Sequence, residues 1–315
     1  MRKQQCAAEY TARQKKRKLI KANWVLYLFL VPAFVYFGIF AYAPMYGVQI
    51  AFKNFIPSKG IWGSEWEGLT YFTMFFRSPK FWDYVRNTVY LSLYSLIAGF
   101  PVPIILALIL NDIRNSKLKR ISQTLTYMPH FISWVVFGGI VITLLSGDGG
   151  LFNQILMKLG IISQPVVFMA QPRYFWAIAI LSNLVKELGW STILYTAAIS
   201  GVDQELYEAA DLDGAGRLQK MRYVTLPCIK GTIVIMVIFA VAGIMNNNFD
   251  QLYVLQNSFN LERSEVIDTY IYKVGLQQLQ FGMAAAVNIF KSILAIILLT
   301  TANFVSNKLT DSGLF

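Results

Sequence analysis

The chain has 315 residues, of which 56% are hydrophobic and only 14% are charged. Ordinary soluble domains carry about a quarter charged residues, and the charges here are bunched between long apolar runs. Because a soluble core does not need several runs of about 20 residues that are nearly free of charge, this pattern predicts a helical integral membrane protein.

The first 23 residues form a basic cytoplasmic arm. Eight of its residues are Lys or Arg, and five of them stand at positions 13 and 15–18. Such a cluster beside a span favours the anionic inner leaflet and sets orientation. Nucleic-acid binding instead needs a basic face interleaved with polar and aromatic readers on a folded domain. The net charge of +11 therefore predicts no nucleic-acid partner.

The first apolar run covers residues 24–47, which gives a helix of roughly 36 Å, enough to cross a bilayer. The sequence Ala41-Tyr42-Ala43 resembles a signal-peptidase site. The apolar stretch before it is longer than a signal-peptide core of roughly 7–15 residues, and Pro44 follows immediately. A retained helix is therefore expected.

Five more spans are predicted at residues 85–110, 121–145, 174–199, 228–249 and 283–307. Unbroken apolar runs favour helices, since barrel strands alternate every second residue. The predicted architecture is an all-α transmembrane domain over residues 24–307, with six helices and a cytoplasmic tail at 308–315. The segments assigned inside hold 17 Lys and Arg against 9 outside, which favours both termini in the cytoplasm.

The composition gives little support for a metal site, a disulfide or chemistry that depends on histidine. The two cysteines, Cys6 and Cys228, both lie in or beside segments assigned to the cytoplasmic side, and His130 is the single histidine. No metal-ligand spacing occurs, so no metal site, catalytic residue or cofactor on this chain is expected. An intramembrane enzyme is correspondingly disfavoured.

The segment 200–227, between the fourth and fifth spans, contains a spaced motif. Glu208-Ala209-Ala210 is followed after three residues by Gly214, and nine residues later by Val224-Thr225-Leu226-Pro227. The composition predicts a helix over residues 204–212 with Asp203 as its N-cap. Gly214 would leave that helix in a left-handed conformation. A second short helix would then return to the membrane, with Pro227 in the first turn of the next span.

This motif resembles the signature of binding-protein-dependent ABC importer permeases, in which the loop contacts the ATPase subunit. The stretches at residues 44–47, 87–88, 127–134 and 268–270 are similar to the sugar-type permeases of the maltose system, most of all to the polysaccharide and oligosaccharide branch. The resemblance implies a type I importer fold, a second permease subunit, an ABC ATPase dimer that holds ATP and Mg, and an extracytoplasmic solute-binding protein. It implies a structural role for His130 and assigns ATPase coupling to Glu208, Ala209, Ala210, Gly214, Leu226 and Pro227.

Ionisable side chains inside spans are costly and are functional candidates by default. Together with nearby polar and aromatic groups that suit sugars, they give a predicted substrate path of Asn183, Lys186, Glu187, Trp190, Asn288 and Lys291. The alternative is internal ion pairing or helix–helix contact within the bundle.

The sequence therefore predicts the permease subunit of an ATP-driven importer for a carbohydrate. The chain has no G-x4-G-K-[ST] motif, so the resemblance places ATP on a partner chain. Alternatives are an importer of peptides or amino acids, an ABC exporter and an ATP-independent secondary transporter. A secondary transporter would more often show repeat symmetry or paired broken helices.

Overall fold

The structure is a computed structural model that describes residues 22–310, without the side chains of residues 302 and 305–310. Most of the predicted basic arm and the last five residues lie outside the described part. The chain forms two compact units, Met1–Gly68 and Leu69–Phe315, which are considered one at a time.

The described part of the first unit contains one long apolar helix and a small two-stranded sheet. Helix α1 runs over Trp24–Phe52, with a π-helical segment at Gly38–Tyr42 and a 3-10 segment at Tyr46–Phe52. Strands β1 (Lys53–Asn54) and β2 (Glu65–Trp66) pair antiparallel. Between them lie a 3-10 turn at Pro57–Lys59 and helix α2 at Gly60–Gly63.

The second unit is helical throughout its regular elements. Helices α3 to α8 cover Thr70–Phe76, Phe81–Asp112, Ser116–Phe131, Trp134–Leu144, Leu151–Lys158 and Pro172–Ser200. Helices α9 to α15 cover Gln204–Leu212, Arg217–Cys228, Lys230–Ala242, Phe249–Leu255, Leu261–Ser264, Ile267–Tyr272 and Phe281–Thr310. Shorter segments are a 3-10 turn at Phe168–Ala170 and a π-helical segment at Lys273–Gln277.

Within the described residues, four helices are long and apolar enough to cross a membrane: α1, α4, α8 and α15. The pairs α5–α6 and α10–α11 also qualify, each as one bent span, which brings the number to six. The predicted helical membrane architecture is therefore confirmed; four spans are continuous helices, and the number reaches the predicted six when each bent pair is counted as one span.

The third span is the larger departure from the prediction. Residues 121–145 were expected to form one helix, whereas α5 and α6 meet at an angle of 102°. Ser133 takes an extended conformation, and its hydroxyl accepts a hydrogen bond from the Val136 amide at 3.4 Å. A serine N-cap in this position starts a new helix rather than continuing the old one.

The fifth span is also shorter than predicted. Residues 228–249 were expected to be helical, but α11 ends at Ala242. Its axis is bent by 67° from that of α10. The Asn248 side chain caps α12 by accepting from the Gln251 amide. The asparagines at positions 246–248 therefore lie in a non-helical connection, where amide side chains are free to face a cavity.

Helix α8 lies at the centre of the second unit and packs against α4, α5 and α13. One buried cluster joins its N-terminal half to α12 through Phe175, Ala179, Leu252 and Leu255. A second cluster joins its C-terminal half to α4 and to Ile229 through Ala107, Tyr195 and Ile199. Burial of this apolar surface fixes α8 between the other spans.

Candidate functional sites: a coupling loop and a polar cavity

The coupling loop, defined as residues 200–227, begins with helix α9. Asp203 caps it, because its Oδ1 accepts a hydrogen bond from the Glu205 amide at 3.0 Å. The helix covers Gln204–Leu212, the range that the sequence predicted. A side-chain cap satisfies an otherwise orphan amide and stabilises such a short helix by about 1 kcal/mol.

Gly214 ends this helix with a φ of +77°, so the predicted left-handed conformation is confirmed. The Ala215 amide donates to the Ala210 carbonyl at 2.9 Å across the turn. This bond is the kind that closes a helix at a glycine. The chain therefore reverses tightly and starts α10 at Arg217.

Side chains tie the two short helices together. The Tyr207 hydroxyl lies 2.9 Å from the Thr225 hydroxyl, and Lys220 Nζ donates to Asp211 Oδ1 at 2.6 Å. The Tyr207–Thr225 contact lies toward the C-terminal end of α10, and the Lys220–Asp211 bond lies toward its N-terminal end. Helices α9 and α10 are thus held together as one unit.

The loop is also fastened to the spans. Leu226 packs on the cluster of Ala107, Tyr195 and Ile199, and Arg217 pairs with Asp112 at the end of α4 at 3.3 Å. Leu226 is therefore a packing residue in this chain.

The position of Pro227 differs from the prediction. It stands in the last turn of α10, ahead of the 67° bend, and the span helix α11 begins later, at Lys230. Pro227 is the second residue of the turn Leu226–Cys228, and a proline at the start of a helical turn needs no amide hydrogen bond.

One face of the loop has no partner among the described residues. Glu208 is exposed and makes no described ion pair, and Ala209 beside it is exposed as well. Leu212 and Leu218 have 91% and 80% of their surface exposed. An acidic group with large apolar side chains on a capped helix is typical of a protein–protein contact surface.

Replacing Gly214 tests the turn. We expect Gly214→Val to destabilise the loop by about 1–2 kcal/mol, because a β-branched residue is strained at positive φ. The space around the glycine is open, so no steric clash adds to this cost. The measurement is the rate of tryptic cleavage at Arg217 and Lys220 in the purified protein. Gly214→Asn is the matched control, since asparagine tolerates this conformation; equal protection in both variants would contradict the role of the turn.

The second candidate site is a cavity of about 640 Å³ within the second unit. Helices α4, α8, α11 and α12 and the connection at 243–248 form its walls. The predicted path residues Asn183, Glu187 and Trp190 all line it. They stand at i, i+4 and i+7 on α8 and therefore share one face.

Glu187 lies at the centre of a polar network behind this wall. Its carboxylate is 2.6 Å from His130 Nδ1 and 3.2 Å from Lys186 Nζ. The His130 ring stacks on the Trp190 indole at 4.3 Å with an interplanar angle of 4°. The network therefore fixes both the carboxylate and one face of the indole. It also joins α8 to the last turn of α5.

The other predicted path residues do not line the cavity. Lys186 is 3% exposed, donates to the His130 carbonyl at 2.7 Å and lies 5.3 Å from the centre of the Trp134 ring. Asn288 is on an exposed face of α15. Lys291 pairs with Asp268 at 2.6 Å. For Lys186 and Lys291 the observed contacts are the internal pairing that the sequence left open as the alternative.

The Lys291–Asp268 pair has a testable cost. Its side chains are only 14% and 18% exposed, so removal of one partner leaves a poorly solvated charge. We expect Lys291→Met to lower the free energy of unfolding by about 3 kcal/mol, and Lys291→Met with Asp268→Leu to recover much of that loss. Thermal unfolding in detergent measures both. A double variant as unstable as the single one would contradict this interpretation.

Two polar cavity residues, Ser92 and Gln251, were not predicted from the sequence, whereas Asn247 was among the polar groups noted near the predicted path. All three line the cavity. Ser92 Oγ donates to Asn247 Oδ1 at 3.2 Å, and Gln251 Nε2 donates to Ser182 Oγ at 2.9 Å. The sequence gives only a weak signal for such residues, because a single polar residue in or beside an apolar run is as often a helix–helix contact as a substrate contact.

Comparison with known proteins identifies the family of the chain. The family model described as "Binding-protein-dependent transport system inner membrane component" matches residues 99–311. Protein LplB of Bacillus subtilis (strain 168) is 41% identical over 94% of this chain and 92% of its own length. The polygalacturonan/rhamnogalacturonan transport system permease protein YteP of the same strain is 42% identical over 98% of this chain and 96% of its own.

A solved structure has the same fold. It is a chain of a bacterial alginate ABC transporter in complex with an alginate pentasaccharide-bound periplasmic protein. The TM-score is 0.84 and the identity 38%, over 94% of this chain and 99% of that chain.

The chain belongs to the family of binding-protein-dependent transport system inner membrane components. It is a multi-pass protein of the cytoplasmic membrane and a transport subunit of an ABC importer. Its fold is that of a type I ABC importer permease.

Proposed function

We propose that this chain forms one half of the translocation path of an ATP-driven importer for an oligosaccharide or polysaccharide. The family membership supports import with a solute-binding protein. The relative YteP is named for polygalacturonan and rhamnogalacturonan, and the structural neighbour for alginate. A substrate of the same broad class, a glycan delivered by an extracytoplasmic binding protein, is the simplest inference for this chain.

The observation that carries the mechanism is the connection between the coupling loop and the cavity. Arg217 and Leu226 fasten the loop to α4 and α8, and the same two helices line the cavity with Ser92 and Glu187. A displacement of the loop therefore acts on elements that form the cavity wall. This arrangement is what an alternating-access device needs.

The remaining components come from partner chains in this proposal. An ABC ATPase dimer holds ATP and Mg and receives Glu208 and its apolar neighbours. A second permease subunit completes the path, and the loaded binding protein docks outside. ATP closes the ATPase subunits, the loop moves with them, and the two permeases open toward the binding protein; hydrolysis resets them inward. Both termini of this chain would lie in the cytoplasm, on the side of the loop.

The substrate class is tested by ATP hydrolysis in the purified complex. We expect the cognate binding protein loaded with an oligosaccharide to stimulate hydrolysis, and the same protein offered peptides or amino acids to leave it at the basal rate. Stimulation by peptide without any response to sugar would overturn the carbohydrate assignment and leave the importer class intact.

A further inference from the structure

We propose that Glu187 makes this subunit's half of the cavity selective for uncharged sugar units and excludes carboxylated ones from it. The inference rests on the proposed carbohydrate function and specifies its substrate class. The names of YteP and of the structural neighbour refer to acidic glycans, and each name describes that protein's substrate. The charge of the substrate is therefore the property on which this chain can differ from them.

The charge of the cavity wall is the first observation. Among the lining residues in the described part of the chain, Glu187 is the only Asp, Glu, Lys, Arg or His. The other polar lining groups are amides and hydroxyls, with the Tyr195 phenol and the Trp190 indole. Recognition of a sugar carboxylate ordinarily uses Arg or Lys, and this wall presents neither.

The lysine nearest to the cavity is not available to a substrate. Lys186 is on the turn of α8 that carries Glu187, but its ammonium group donates to the His130 carbonyl at 2.7 Å and to Glu187 Oε1 at 3.2 Å. The residue is 3% exposed. It pairs with the Glu187 carboxylate, and the Glu187 side chain keeps 27% of its surface exposed.

The groups that remain suit hydroxyls. Asn183 stands one turn before Glu187 on the same face, and a carboxylate accepts strong hydrogen bonds from hydroxyl donors. Asn247 also lines the cavity, and its Nδ2 is buried without a hydrogen-bond partner among the described residues. A buried amide donor without a partner costs free energy, so a small shift of this side chain toward a bound hydroxyl would be favourable.

A sugar carboxylate in this cavity would face two penalties. It would give up hydration in a space walled largely by apolar side chains, with no Lys or Arg among the lining residues to replace the lost water. It would also lie near the like charge of Glu187, which raises its energy further. A neutral unit of the same shape meets neither penalty.

The test compares an acidic oligosaccharide with its own methyl ester, which keeps the shape and removes the charge. Trigalacturonate and its trimethyl ester are the first pair, each supplied at a concentration that saturates the binding protein. The readout is stimulated ATP hydrolysis by the complete transporter. We expect the ester to stimulate at least about tenfold more than the acid, which corresponds to ~1.4 kcal/mol.

Two variants assign that preference to the cavity. Glu187→Gln removes the carboxylate, and Asn183→Lys adds a cation one turn before it on the same wall. Each should bring acid and ester to within about threefold of one another, a difference of less than 1 kcal/mol. Glu262→Gln is the matched control, since its side chain is 62% exposed and does not line the cavity; it should keep the preference of the unmodified transporter.

Each outcome decides between the claims. Equal or stronger stimulation by the acid in the unmodified transporter overturns the role of Glu187. A preference for the ester that neither Glu187→Gln nor Asn183→Lys changes also overturns it, because the selection would then lie in another chain. A binding protein that responds to peptides and to no glycan overturns the proposed function itself.

Discussion

Glu208→Lys is expected to abolish co-purification of the ATPase with this permease and to remove substrate-stimulated hydrolysis. Glu208 is exposed on a helix that Asp203 caps and Gly214 ends, so the substitution leaves the local fold intact. Where Glu208 contacts the ATPase, the lysine replaces an attractive charge with a repulsive one. Loss of a desolvated charge contact costs about 2–5 kcal/mol, which weakens association by at least about 30-fold.

The control for this variant is Glu262→Lys, the same charge change at an exposed position outside the coupling loop. It should keep normal assembly and normal hydrolysis. If Glu208→Lys retains the ATPase at the level of this control, the assignment of the loop as the energy input fails.

Gly189→Val is expected to prevent accumulation of folded protein. A Cβ at Gly189 would lie 2.8 Å from Tyr127 Cδ1 and in closer conflict with the Thr126 carbonyl oxygen. The obstacle is backbone rather than a mobile side chain, so α5 and α8 must separate. Overpacking of this kind costs about 1–3 kcal/mol or more, and separation would also break the contacts between Glu187 and His130.

Gly139→Val, on α6, is the matched control, because a Cβ there meets nothing within 4 Å. Yield, size-exclusion profile and thermal unfolding in detergent compare the two variants. A stable, monodisperse Gly189→Val protein would show that α5 and α8 do not pack this closely in the folded chain.

The elements that could be predicted from the sequence are those set by local chemistry. Helix α9 has a cap at Asp203 and a left-handed glycine at position 214, and both signals lie within a dozen residues of one another. The long spans α4, α8 and α15 follow from unbroken apolar runs. In each case the residues that decide the conformation are neighbours in the chain.

The bend between α5 and α6 could not be predicted in the same way. Its signal, Ser133, lies inside an apolar stretch that hydropathy alone extends into one helix. What distinguishes the bent form is a set of contacts with a distant helix: Lys186 holds the His130 carbonyl, and Trp190 stacks on the His130 ring. Tertiary contacts of this kind override local preference.

The candidate path residues fall into two groups, those that line the cavity and those that do not, for a similar reason. Hydropathy marks Lys186, Glu187 and Lys291 equally, as ionisable groups in apolar runs. The fold sends Glu187 to the cavity wall and gives the two lysines carbonyl or carboxylate partners. Side-chain direction around α8 depends on residues more than 50 positions away, such as His130, so composition alone cannot separate the three.

Uptake into proteoliposomes tests the central claim most directly. The complete transporter is reconstituted with its binding protein and a labelled oligosaccharide, with ATP enclosed on the side of the ATPase subunits. We expect accumulation that requires both ATP and the binding protein and that the Glu208→Lys permease does not support. Uptake that proceeds at the same rate without ATP, or with the Glu208→Lys permease, would contradict it.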